Sequence, residues 1–300
     1  MTGFLIVVGS LSLGALLRRW LPAGLPDLLN AWVLRIALPA LVLAKIPLMD
    51  VRLDLAAPAL APWALFLGSA LLMPLIGRRF GWSRGTVGCL VLTSGLGNTA
   101  FVGLPLISAL RGQEALGPAL VADQLGSSII LATAGAVVAA TYAGGGADPR
   151  AILRRLSRFP PLLALIAAVI VRQLGEVPAP ILTVLELFAL TLTPVALFVV
   201  GVRFRAGSAR AMADKLLAGL GWSLLVAPLL VALVLRVAGL HGLAADVAVL
   251  QVAMPPMVTA SIVANDHGLD PELGTAMVGM GLVVSLLTIP LWHLALLAIP

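Results

Sequence analysis

The chain has 300 residues, 61% hydrophobic and 11% charged, with a mean hydropathy of +1.11 and a net charge of +6. A soluble domain carries about a quarter charged residues, so these values exclude an ordinary soluble enzyme and predict an all-α integral membrane protein whose apolar runs each cross a bilayer. A single cysteine (Cys89), three scattered histidines (His241, His267, His293), one Tyr and eight Phe offer no disulfide, no metal-ligand spacing and no aromatic surface for nucleic acid.

Ten spans are expected, at roughly 3–20, 28–47, 56–77, 85–109, 115–142, 159–174, 180–202, 215–237, 244–265 and 272–298. In the first, Phe4–Leu17 has no basic residue before it and Arg18-Arg19 after it. That order suits an uncleaved span with its N-terminus outside. The second holds Arg35 about a turn before Pro39; its side chain is expected to snorkel to the interface, with attraction of an anion as the alternative. The third contains Pro74 and no ionisable residue between Ala56 and Ile76.

The fourth span is interrupted. Gly95, Gly97 and Gly103 weaken its helix, and Pro105 removes a donor and clashes with the carbonyl four residues back. Asn98 and Thr99 are placed to satisfy the backbone groups this frees. The fifth carries Asp123, Gln124, Ser127 and Ser128, whose i, i+4 spacing predicts one polar face. Ionisable groups at membrane depth usually face a cavity. Asp123 is therefore read either as a proton or cation coupling site or as an acceptor that holds the neighbouring broken helix. Gln124 is a candidate for contact with substrate or with Asn98.

The connection 143–158, glycine-rich at its start and basic at its end, separates residues 1–142 from 159–300. Glu186 in the seventh span is expected to reach the outer surface. The ninth span is interrupted by Pro255-Pro256, which delete two donors in a row and free carbonyls near Gln251 and Val252. Asp270-Pro271-Glu272 reads as an N-cap, a proline at the first helical position and an acidic first turn for the tenth span.

Thirteen of the nineteen basic residues, from Arg18 to Lys215, fall in loops after odd-numbered spans. The positive-inside rule then puts those loops in the cytoplasm and both termini outside. The halves repeat. Pro39 corresponds to Pro194, Pro74 to Pro228, Asn98 to Met254-Pro255, and Leu125–Ile130 to Leu282–Leu287, at offsets of 154 to 157. Five spans per copy make the second copy enter from the opposite side, so the repeat is inverted.

Irregular backbone at membrane depth survives only where protein or an aqueous cavity shields it. Each break leaves a half-helix beginning inside the membrane, with unpaired amides and a partial positive charge at its N-terminus. Two such ends meeting near the midplane form an anion site. The expected substrate contacts are Asn98, Thr99, Gly103, Gln124, Met254, Pro255 and Pro256.

Gly97-Asn98-Thr99-Ala100-Phe101-Val102-Gly103-Leu104-Pro105 resembles the glycine–asparagine signature of the auxin efflux carrier family. Ala253-Met254-Pro255-Pro256, His267–Leu273 and Ser285–Trp292 are similar to its C-terminal half, so the resemblance covers the whole chain. It implies ten helices in two inverted five-helix repeats, with spans 4 and 9 crossing at their breaks. Spans 1, 2, 6 and 7 would form a scaffold, usually dimeric, and spans 3–5 and 8–10 a moving transport unit. Bacterial members of this length are often described as malonate or other carboxylate transporters. The plant members' long loop after span 5 has no counterpart, and neither does an acid in span 3 found in some relatives. The plant substrate is therefore not carried over.

The expected function is secondary transport of small organic anions across a bacterial inner membrane, with no cofactor and no catalytic residue. A sodium-coupled symporter of the bile-acid type is the alternative, and a transporter-fold sensor that binds without flux a remote one. No HExxH, no GxSG and no facing aspartate pair is present, so an intramembrane enzyme has no parts.

Overall fold

Helices account for the described structure of the protein, with no strand beyond one isolated bridge among the described residues. The computed structural model describes residues 2–22, 24–48, 53–144, 150, 157, 160–175, 177–203 and 212–298. Most of the connection 143–158 and several loop arginines (Arg52, Arg154, Arg155, Arg158, Arg205, Arg210) lie outside these residues.

In chain order the helices are α1 (Thr2–Leu17), α2 (Leu25–Lys45), α3 (Ala56–Phe80), α4 (Arg84–Gly95), α5 (Thr99–Arg111), α6 (Gln113–Tyr142), α7 (Pro160–Leu174), α8 (Ala179–Val202), α9 (Ala213–Val237), α10 (Leu243–Val252), α11 (Val258–Asp266) and α12 (Pro271–Ala298). Six of them, α2, α3, α6, α8, α9 and α12, are long and apolar enough to cross a membrane. The fourth expected span is α4 plus α5, and the ninth is α10 plus α11. The ends match the expected ones to within a few residues.

Local chemistry sets these ends. Gly81 closes α3 in the left-handed region (φ +66), where a residue without Cβ is unstrained. Two residues on, Ser83 caps α4 by accepting the Thr86 N–H at 3.1 Å. Asp270 caps α12 as expected, accepting the Leu273 N–H at 3.4 Å, and its other oxygen accepts the Thr86 hydroxyl at 2.7 Å. The starts of α4 and α12 are thereby tied together.

Three helices contain a five-residue π-helical segment that ends two residues before a proline. These are Val33–Ala37 before Pro39, Thr99–Gly103 before Pro105, and Trp222–Val226 before Pro228. A proline has no N–H to give and its ring crowds the preceding turn. A widened turn just ahead of it lets the chain continue as helix.

Lipid offers no hydrophobic drive between helices, so close packing and polar ties hold the bundle. Four indole N–H groups tie helices together. Trp32 donates to Thr191 Oγ1 at 3.0 Å, Trp63 to Leu125 O at 3.0 Å, Trp222 to Leu65 O at 3.2 Å and Trp292 to Leu224 O at 2.8 Å. Gly14 lets α1 approach α8 so closely that a Cβ there would collide with Phe198 O. α1, α2, α7 and α8 pack mainly on one another; α3–α6 and α9–α12 form the other group, and α5 touches both α1 and α8. The outward faces are apolar, as Leu67, Leu71, Leu229 and Leu233 show. Such a surface suits lipid and not water.

Candidate functional site

The two interrupted spans form the centre of the molecule. Every described side chain of α4 from Thr86 to Gly95 is buried, as are Val247–Val252 of α10. Both helices stop there, and their breaks meet. Gly97 and Pro256 form an antiparallel bridge. The Asn98 N–H donates to Pro255 O at 2.7 Å, and the Met257 N–H donates to Leu96 O at 2.8 Å. Each break thus supplies one donor and one acceptor to the other, which removes the cost of leaving them unpaired in a dry interior.

The restart of each helix differs. At the first break the Asn98 side chain accepts the Phe101 N–H at 3.1 Å, and the Asn98 carbonyl accepts from Val102 and Gly103. Asn98 is an N-cap, 3% exposed. Thr99 donates its hydroxyl to Asp123 Oδ1 at 2.6 Å, while Gln124 Nε2 donates to Asp123 Oδ2 at 2.8 Å. Asp123 therefore accepts from Thr99 of the neighbouring broken helix, the contact that one of its two readings expects. Among the described residues no cation pairs with it. At the second break no side chain caps α11, and the prolines plus backbone exchange set the geometry.

The expected site residues are thus brought together, with three corrections. Pro105 does not break the helix. It lies in the first turn of the regular part of α5, Leu104–Arg111, because the π-helical segment before it absorbs the missing donor. Gly95 and Gly97 do sit at the interruption, which spans Leu96–Asn98. Second, Asp123, Gln124, Ser127 and Ser128 lie in a π-helical stretch, Ala122–Ser128, so the simple i, i+4 stacking does not apply. Third, the carbonyl of Gln251 is not left free, since the Met254 N–H reaches it at 3.4 Å. Met254, Pro255 and Pro256 are wholly buried by protein and pack the junction itself.

Gln251 is a contributor the sequence marked only weakly. Its Nε2 donates to Ala119 O at 3.0 Å, one turn before Asp123. Its Oε1 lies where a Cβ on Gly103 would stand, so a side chain at 103 would push the amide out of its place. Gln251 Oε1 and Gln124 Oε1 are both buried without a partner. Away from the junction, Arg35 is exposed and Glu186 pairs with Lys45 at 3.4 Å.

A family profile described as "Membrane transport protein" matches residues 3–145 and 149–293. An "uncharacterized transporter" of Methanothermobacter thermautotrophicus is 27% identical over 272 residues, covering 89% of this chain and 88% of that one. A second "uncharacterized transporter", of Methanocaldococcus jannaschii, is 28% identical over 241 residues, covering 78% of this chain and 76% of that one. The chain is therefore a multi-pass membrane protein of the membrane transport protein family, the auxin efflux carrier family that its two broken segments resemble.

Proposed function

We propose that the protein is a secondary carrier for small organic anions, carboxylates such as malonate or related acids, working by alternating access. The observation that carries this reading is the junction of the two breaks. The N-termini of α5 and α11 begin there, and helix N-termini favour negative charge. In this reading the chain forms ten spans in two inverted repeats, residues 1–142 and 159–300, joined by a cytoplasmic linker at 143–158. The antiparallel sense of the Gly97–Pro256 bridge supports opposite directions for spans 4 and 9.

The grouping of the helices supports the proposed cycle. α1, α2, α7 and α8 act as the scaffold and carry a homodimer contact; α3–α6 and α9–α12 move as the transport unit. The substrate carboxylate sits against Asn98, Thr99, Gly103 and Gln124, beside Met254, Pro255 and Pro256. Since these groups are buried, binding requires the unit to shift against the scaffold. A ligand drives that shift only by binding one state better than the other. The proposed location is a bacterial inner membrane with both termini outside.

The test is uptake of labelled malonate into liposomes holding the purified protein. Uptake above protein-free liposomes is expected, with a loss in Asn98→Ala that leaves the protein folded in detergent. Normal uptake by that variant removes the site assignment, and binding without flux favours a sensor.

A second reading is sodium-coupled symport of the bile-acid type. It draws on Gln124 Oε1 and Gln251 Oε1, two buried acceptors without partners, one beside Asp123 and one a turn away. Carbonyl and carboxylate oxygens suit a hard cation. Uptake that is unchanged when potassium replaces sodium rules it out.

A further inference from the structure

A second polar cluster lies away from the junction, at the end of the bundle expected to face outward. It is built where the far ends of the same broken spans meet. Arg111 is the last residue of α5, and Asp246 lies in the first turn of α10. Arg111 Nη1 and Asp246 Oδ2 are 3.1 Å apart. Arg236 at the end of α9 and His293 of α12 lie within electrostatic reach of Asp246. Arg111, Arg236, His241 and Asp246 line a cavity of about 250 Å³. That is somewhat smaller than a drug-sized pocket.

The guanidinium of Arg111 is only partly used. Nη1 is taken by Asp246, while Nε and Nη2 are both buried without a partner. Those two nitrogens carry the parallel N–H pair that grips a carboxylate with two bonds. Buried donors are rarely left unpaired in native proteins, and a missing ion is one reason for an exception. The charged lining has the same sense: among the described residues it holds two arginines, Arg111 and Arg236, and one aspartate, Asp246. Arg111 lines this cavity, and Nε–Nη2 is the edge of its guanidinium that no protein group occupies.

We propose that this cavity is an outer carboxylate site, in which the Nε–Nη2 edge of Arg111 holds the anion before it reaches the junction. The ligand class rests on the organic-anion reading above, while the existence of the site rests on the cavity and Arg111. α5 runs from Thr99, beside Asn98, to Arg111, and α10 from its first turn, with Asp246, to the second break, so the two walls of the cavity lead to the junction. Thirteen residues of helix separate them, about 20 Å at 1.5 Å per residue.

The experiment is malonate titration of purified full-length protein by calorimetry, in Asn98→Ala so that the junction does not contribute. Arg111→Gln in that background is expected to weaken malonate binding about tenfold or more. Asp246→Asn is expected to tighten it severalfold, because it removes the one acidic wall and frees Nη1. A merely structural ion pair predicts the opposite pattern, with both variants lowering the melting temperature alike and neither changing affinity. Unchanged affinity in a folded Arg111→Gln protein overturns the proposal. If that variant does not fold, unchanged or weakened affinity in Asp246→Asn overturns it. Malonate binding at the outer cavity without liposome uptake leaves this site standing and sinks the transport reading instead. Uptake that is abolished by Asn98→Ala, with no Arg111-dependent binding, does the reverse.

Discussion

The two breaks solve one problem with different chemistry. Leu96–Asn98 is opened by glycine and closed by side chains: Asn98 caps the restart, and Thr99 is anchored to Asp123. The break at residues 253–257 is opened by proline and closed only by backbone, through Pro255 O and the Met257 N–H. A side-chain closure can loosen when its partners change protonation or contact. A proline closure is fixed by covalent geometry. Both breaks share the backbone exchange, and only the first adds side-chain partners to it.

Substitutions can break or sharpen this contrast. The largest effect is expected at Asp123, where alanine strands the Thr99 hydroxyl and the Gln124 amide in a dry interior. The loss should be about 3 kcal/mol, read as a lower melting temperature in detergent together with lost uptake. Asp123→Asn, which still offers Thr99 an acceptor, should recover much of the melting temperature. Next comes Gly103→Ala, whose methyl collides with the Gln251 amide. Overpacking of this kind costs roughly 1–3 kcal/mol, and the Gln251→Ala partner change should relieve it in a double-mutant melt. Asn98→Ala removes a cap, about 1 kcal/mol, yet should reduce uptake far more than it reduces stability. Pro255→Ala keeps the carbonyl that Asn98 needs, so about 1 kcal/mol or less is expected, with uptake only modestly slowed. If Pro255→Ala impairs uptake more than Asn98→Ala does, the contrast is reversed. The smallest effect belongs to the exposed Lys45–Glu186 pair, about 1 kcal/mol or less by double-mutant cycle.

Much of this was legible in the sequence because its signals are local. Apolar runs gave the spans, and Gly97-Asn98 with Pro255-Pro256 marked the interruptions. Three π-helical segments follow a simple rule that pattern reading passes over, ending just before the proline of Leu38-Pro39, Leu104-Pro105 or Ala227-Pro228; Ala122–Ser128 has no such proline after it. Periodicity reasoning assumes one helix type, so it misplaced the faces of Asp123, Gln124, Ser127 and Ser128 and put a break at Pro105. The amide of Gln251 against Gly103, and Arg111 against Asp246, were out of reach for another reason. Each pairs residues far apart in the chain, and only the folded bundle makes them neighbours.

The reciprocal backbone bonds between Leu96–Asn98 and Pro255–Met257 bear on how the protein is made. Roughly half the chain must still be synthesised after Asn98 enters the bilayer before Pro255 arrives to accept its N–H. Until then the nascent first half carries an open backbone joint at Leu96–Asn98, in need of shelter from the insertion machinery or from water. Arrival of α10 and α11 is therefore the moment of closure, and truncation anywhere before them should yield a product that membrane quality-control proteases recognise.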